Sequence, residues 1–128
     1  MNYSELKPGQ IISTQQFSLD RTFVDDYLKS TSESTDGLYT EFAPPMSLGA
    51  LAVRAAITDL KIPGGTLHLT QEVEFFAPVP IGETISCSAK LLQNSVRAGM
   101  RILVITLSIE NSAGLQLMSG KSTITVPN

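Results

Sequence analysis

Residues 44–60, PPMSLGALAVRAAITDL, decide the fold of this 128-residue chain. The paired prolines predict that a helix begins at Pro45, because proline fits the first helical turn, where a missing N–H costs nothing. The rest of the segment is apolar on nearly every side, with Arg54 and Asp59 as its only charged residues. A helix that is apolar all round lies in the middle of a fold. We therefore expect a central helix that ends before Pro63.

The segments on either side of this helix carry the patterns of a β-sheet. Upstream, residues 11–19 suit a first strand, and Asp20 is placed to cap a short helix. Downstream, the hydrophobic period changes from helical to two, which predicts four strands in series. They fall in residues 66–79, 84–92, 100–110 and 115–126. Short turns predict an antiparallel meander for the last three, and Gly120 suggests a bulge in the final strand.

One long apolar helix and one antiparallel sheet leave a single arrangement, in which the sheet wraps around the helix. The predicted fold is therefore α+β, a hot dog fold, in a single domain over residues 1–128. A curved sheet of about five strands leaves a free edge and a partly covered helix. Because such edges are usually paired, we expect at least a dimer.

Composition excludes several classes of function. Lysine and arginine number 9 against 12 acidic residues, and the basic residues are scattered, which argues against nucleic acid or a membrane as a partner. No leader opens the sequence and no apolar run approaches the ~20 residues that span a bilayer, so we expect a cytoplasmic protein. Cys87, the only cysteine, is predicted to be a small buried side chain. No metal-ligand spacing and no glycine-rich phosphate loop are present, so we expect neither a metal nor a cofactor.

The start of the central helix is the strongest candidate site. The N–H groups of its first turn, at Met46, Ser47, Leu48 and Gly49, lack partners within the helix and carry the positive end of its dipole. They suit a carbonyl oxygen or a developing enolate, so we predict that they bind substrate. The alternative is that Ser47 and the preceding loop satisfy these donors.

His68 is a second candidate, because it is the only histidine and the only group suited to proton transfer at neutral pH. The alternation of its strand places it on a polar face, opposite Leu67 and Leu69, which we expect to face the core. That face can line the contact with a second subunit. His68 is thus either a site residue or a hydrogen-bonded interface residue.

Three blocks of the sequence resemble the MaoC-like hydratase/dehydratase family. They are YLKSTSESTDGLY at 27–39, APPMSLGALAVRAAI at 43–57 and PGGTLHLTQEVEFFAPVPIGETI at 63–85. The similarity covers about residues 15–127 and is greatest to the branch that resembles the N-terminal domain of the family's double hot dog members. It implies a hot dog fold and the binding of an acyl thioester.

In catalytic members of that family, the loop before the helix reads approximately S-G-D-x-N-P-x-H, and its aspartate and histidine handle the water added across an enoyl thioester. In this chain Ser34 stands at the aspartate position and Tyr39 at the histidine position. The catalytic pair is therefore replaced, since neither side chain is an effective general base near neutral pH. The candidate catalytic residues are Ser34, Tyr39 and His68, with Glu33 or Asp36 as alternative carboxylates.

Several functions follow from this resemblance. In one, the chain is a non-catalytic subunit that binds an acyl chain on coenzyme A or acyl carrier protein, and a partner in a homodimer or heterodimer supplies the aspartate and histidine. In another, it is an active (R)-specific enoyl hydratase or 3-hydroxyacyl dehydratase with unusual site residues. Two further alternatives are a thioesterase, for which the helix offers only Arg54 and Asp59, and a scaffold with no thioester contact.

Overall fold

The computed structural model describes residues 3–30 and 42–127, apart from the side chain of Ser30. A short 3-10 turn at Tyr3–Glu5 precedes two helices and five strands. These elements are β1 (Ile11–Ser18), α1 (Arg21–Ser30), α2 (Pro45–Leu60), β2 (Leu67–Phe75), β3 (Thr84–Arg97), β4 (Met100–Asn111) and β5 (Gln116–Pro127). Within these ranges, no helix has the length and apolar character needed to cross a membrane.

The strands form one antiparallel sheet in the order β1-β3-β4-β5-β2. The predicted meander of β3, β4 and β5 is confirmed. Its first turn is made by Ala98 and Gly99, whose φ angles of 52° and 77° match the two-residue turns that suit the twist of a hairpin. β1 and β2 are the two edges of the sheet, so along one side of each strand the backbone N–H and C=O groups are not paired with another strand of this sheet.

Helix α2 packs against the concave face of the sheet, as predicted. Its buried side is made of small and branched apolar residues that contact β1, β3, β4 and β5. The helix ends at Leu60, and the next residue, Lys61, takes the left-handed conformation (φ 53°), so the helix stops before Pro63, as predicted. The Tyr3 hydroxyl, 2.8 Å from the carbonyl oxygen of Leu60 and 2.7 Å from that of Lys61, donates to this end of the helix. Asp20 caps α1 through the N–H of Phe23 at 2.8 Å, also as predicted.

Gly120 does not form the predicted bulge. It pairs in register with Val73 of β2 and Leu107 of β4. A Cβ atom at this position would lie 3.1 Å from the carbonyl oxygen of Glu72 and 3.4 Å from a methyl group of Val73. The glycine therefore permits a close approach between β5 and β2.

The predicted orientation was wrong for the first residues of β2, whereas Val73 and Phe75 farther along pack against the core, as the period-two pattern indicates. The pairing with β5 shifts between His68 and Thr70, so one extra residue, Leu69, is accommodated at that point. His68 pairs with Ile124, a core residue, and therefore faces the helix, whereas Leu67 and Leu69 are 58% and 52% exposed. A bulge of this kind reverses which residues of a strand face the core. The only histidine thus lies on the concave side of the sheet.

Two polar side chains of β1 hold the last turn of α2. The Ser13 hydroxyl donates to one carboxylate oxygen of Asp59 at 2.6 Å, and the Gln15 amide donates to the other at 3.0 Å. The hydrogen bond from Ser13, followed by that from Gln15, is the main reason that the pKa of the Asp59 carboxyl lies below its usual value. The ionised carboxylate therefore ties the edge strand β1 to the central helix.

This arrangement predicts a pH-dependent contribution to stability. Because the pKa of Asp59 is lower in the folded chain, its contribution is present above the unfolded pKa and is lost as pH falls through the folded value. Asp59→Asn should therefore flatten the fall in the urea midpoint between about pH 5 and pH 2. Glu110→Gln, at an exposed position on β4, is the matched control. Parallel midpoint curves for wild type and Asp59→Asn would contradict the assignment.

Cys87 is buried in β3, as predicted. Burial raises the pKa of its thiol to about 12. Because the thiolate is the nucleophilic form, this cysteine is a core residue rather than a reactive one.

Candidate functional site

The start of α2 has no side-chain cap. Pro44 occupies the cap position with φ −59° and ψ 131°, and Pro45 follows in the first turn. The Ser47 hydroxyl and the Ser47 N–H both donate to the Pro44 carbonyl oxygen, at 2.6 and 3.0 Å. The N–H group of Ser47 therefore has a hydrogen-bond partner within the chain. This agrees in part with the alternative stated above, in which Ser47 and the preceding loop satisfy the first-turn donors. Pro44 offers no polar side chain to the other N–H groups of the first turn.

The four predicted substrate-binding residues point in different directions. Met46 is exposed, whereas Leu48 is buried. Gly49 faces the sheet, where a Cβ would lie 3.9 Å from the ring of Phe75 and from a methyl group of Val73. A Cβ at this position would make ordinary van der Waals contacts, so the structure does not require a glycine for a close approach here. Of the four, only Met46 presents its side chain to open space.

Two adjoining clefts follow the open side of α2, with volumes of about 540 and 430 Å³. They share Tyr27, Ala50 and Arg54, so together they form one depression, which we call the α2 groove. Ser47 and Met46 line its end nearest the start of the helix. The groove therefore begins at the uncapped first turn and continues along the helix.

The walls of the α2 groove are mostly apolar, and its polar side chains are few. In the second cleft, the apolar residues are Met46, Ala50, Val53 and Ile57. Arg54, His68 and Gln71 are the polar residues that line the same cleft, beside the ring of Tyr27. An apolar depression with a small number of convergent polar groups is the usual form of a small-molecule site.

Of the predicted site residues, Met46 and His68 line one cleft of this groove, and Ser47 lines the other. The bulge at Leu69 accounts for the position of His68, because it turns this residue towards the helix. Ser34 and Tyr39, with Glu33 and Asp36, lie in residues 31–41, outside the described residues. In the described ranges, no group of three or more His, Cys, Asp or Glu side chains is arranged to hold a metal ion.

A smaller apolar pocket of about 280 Å³ lies on the other side of the helix start. It is lined by Pro45 and Leu48 of α2, by Phe75 at the end of β2, and by the segment that follows, which begins with Phe76. No charged side chain contributes to its walls. The first turn of α2 therefore separates a purely apolar pocket from a groove that contains polar groups.

Sequence reasoning did not predict Tyr27, Arg54 or Gln71 as groove residues. Arg54 gave a signal, because it is the only basic residue in an otherwise apolar helix. Tyr27 lies on the same side of α1 as Phe23 and Leu28, a spacing that is typical of core-facing residues. Gln71 faces the groove on the same side of β2 as Val73, and a glutamine in an alternating strand gives no specific signal of a site.

Similarity to known proteins supports the predicted fold. The R-hydratase PhaJ1 from Pseudomonas aeruginosa superposes with a TM-score of 0.79 at 22% identity, covering 98% of this chain and 85% of that one. A monoamine oxidase regulatory protein from Archaeoglobus fulgidus gives a TM-score of 0.84 at 15% identity, with 100% and 95% coverage. The HadBC (3R-hydroxyacyl-ACP dehydratase) complex from Mycobacterium tuberculosis gives 0.73 at 18% identity, with 92% and 96% coverage.

Among curated proteins, none matches the chain in sequence. One family does match: the model of the FAS1-like dehydratase domain region aligns with residues 9–119, which is most of the chain. The predicted resemblance to MaoC-like proteins and the predicted hot dog fold are therefore confirmed. The chain belongs to the FAS1-like dehydratase domain region family, with the hot dog fold of the MaoC-like hydratases and dehydratases.

Proposed function

We propose that this protein binds an acyl thioester, on coenzyme A or acyl carrier protein, as a non-catalytic subunit of a hydratase/dehydratase assembly. The observation that carries this proposal is the start of α2, which has no side-chain cap and opens directly onto the α2 groove. First-turn N–H groups at Met46 and Leu48 bind the thioester carbonyl oxygen, whereas the Gly49 N–H donates within the helix to the carbonyl oxygen of Pro45. The acyl chain then lies against the apolar wall of the groove.

The state of the catalytic pair supports a binding role. Ser34 and Tyr39 stand where catalytic members of the MaoC-like family carry aspartate and histidine. Serine and tyrosine cannot activate water in the way that a carboxylate and an imidazole do. A partner subunit with both residues supplies the missing chemistry.

Pairing through β2 is the proposed mode of assembly. β2 is an edge strand, and its residues Leu67 and Leu69 are large apolar side chains left exposed on a single chain. An exposed apolar edge of this kind favours pairing with another sheet. In size-exclusion chromatography with light scattering, we expect twice the mass of one chain, or a complex with a second hot dog subunit. A stable monomer that gains no mass with any such subunit would contradict this assembly.

One observation favours an active enzyme as the second candidate. His68 lies in the α2 groove beside Met46, where an imidazole could exchange a proton with a ligand held at the helix start. In this alternative, His68 and Tyr39 together replace the family's catalytic pair. The alternative differs from the first in one measurable property, which is turnover by the chain alone.

The test separates binding from catalysis. Purified protein is given crotonyl-CoA and longer enoyl-CoA substrates while the absorbance of the conjugated thioester is followed. We expect no turnover, together with a rise in melting temperature when a CoA thioester is added. Turnover that is lost in His68→Ala or Tyr39→Phe would support the enzyme instead. If neither turnover nor a melting shift appears, the proposed thioester function is wrong.

A further inference from the structure

We propose that Arg54 binds a carboxylate at the far end of the acyl chain, so that the ligands of the α2 groove are ω-carboxyacyl thioesters. This inference rests on the proposed function, because it requires a thioester at the start of α2. It adds the chemical class of the acyl group and the residue that selects it.

Helix geometry places Arg54 correctly for this role. Arg54 follows Ser47 by seven positions, which is close to two full turns, so both residues lie on one side of α2 about 10 Å apart. Both line the same cleft, and Arg54 also lines the cleft that contains His68 and Gln71. A ligand with its carbonyl at the first turn and an extended chain in the groove therefore ends beside Arg54.

The charges in the groove fit a single anionic group. Arg54 is the only Lys or Arg that lines either cleft. Asp26 also lines one of the two clefts. Among the described residues, however, no carboxylate lies within 4.0 Å of the Arg54 guanidinium. The ion pairs in this part of the chain join Arg21 to Asp25 and Lys121 to Glu72. Among the described residues, the guanidinium therefore has no carboxylate partner, and its planar fork matches the carboxylate of a ligand.

Neighbouring groups complete the match. His68 and Gln71 lie in the same cleft as Arg54 and can donate further hydrogen bonds to carboxylate oxygens. Between Met46 and Arg54, the wall of the groove consists of Ala50 and Val53 with the ring of Tyr27. That wall suits methylene groups, whereas the amide-rich arm of coenzyme A would leave its polar groups without partners there. A carboxylate at the end of an acyl chain therefore fits better than a phosphate of the carrier.

The test compares matched ligands by isothermal titration calorimetry. Glutaryl-CoA and adipyl-CoA are each paired with the uncharged thioester of the same carbon number, pentanoyl-CoA and hexanoyl-CoA. These saturated thioesters have no double bond to hydrate, so binding is measured alone. We expect wild type to bind a carboxylated ligand roughly tenfold or more tightly than its uncharged counterpart. Arg54→Gln should remove that preference and leave the affinity for the uncharged thioester nearly unchanged.

Arg97→Gln is the control, because it removes an equal charge from an exposed residue that lines neither cleft. Its preference for carboxylated ligands should equal that of wild type. If Arg54→Gln weakens both members of a pair equally, Arg54 serves the carrier and the inference is wrong. Binding of the uncharged thioesters without any preference would overturn the inference but leave the proposed function intact. If no thioester binds at all, both fail.

Discussion

Leu60→Ala is expected to lower the free energy of unfolding by about 3 kcal/mol, as is typical when a fully buried leucine is truncated. Leu60 is the last residue of α2 and is only 1% exposed. The substitution removes apolar contacts and leaves a cavity that the surrounding strands cannot close, because interiors are close-packed. Urea unfolding followed by circular dichroism measures the loss.

Ile57→Ala is the matched control for this prediction. Ile57 lies one turn earlier on the same helix but is 38% exposed, so its truncation removes much less buried surface. We expect a loss of about 1 kcal/mol or less for this variant. An equal loss for the two variants would mean that the last turn of α2 is not packed in the core as described.

Gly120→Val is expected to destabilise the protein by roughly 2 to 3 kcal/mol, in the upper range for overpacked sites. The first added carbon would lie 3.1 Å from the carbonyl oxygen of Glu72, which is backbone and cannot rotate away. β2 must therefore move outwards from β5. Because β2 carries His68 and Gln71, the variant should also lose thioester binding in the α2 groove.

Gly64→Val controls for the general effect of replacing a glycine. Gly64 lies in the loop after α2, and a Cβ there meets no atom within 4 Å. We expect its urea midpoint to stay near that of wild type and its thioester binding to be retained. Gly120→Ala should fall between the two variants. A Gly120→Val protein as stable as wild type would refute the close contact between β5 and β2.

Much of this architecture could be predicted from the sequence because strong local signals agree. The paired prolines fixed the start of α2, and the change from helical period to period two marked the sheet. The bulge at Leu69 could not be predicted, since leucine is an ordinary residue in strands and an inserted position has no characteristic side chain. That one residue reversed the predicted orientation of His68, Leu67 and Leu69.

The candidate site was predictable only in part for a related reason. The helix start could be predicted as a site because any helix has free N–H groups at its N-terminal end, and the sequence is sufficient to locate that end. Arg54 becomes a groove residue only when α1, α2 and β2 meet, and that meeting is a tertiary property. A single basic residue in a mostly apolar helix was the available signal, and it did not identify the neighbours of that residue.

The edge position of β2 has a consequence for the motions of the protein. β2 is hydrogen-bonded to β5 alone, and most of its side chains are exposed, whereas β3 and β4 are paired on both sides and carry much of the core. Local opening requires least free energy where few buried contacts must be broken. In the single chain, the strand that completes the groove is therefore the part of the sheet that detaches most readily, so filling the groove and ordering this strand are thermodynamically coupled.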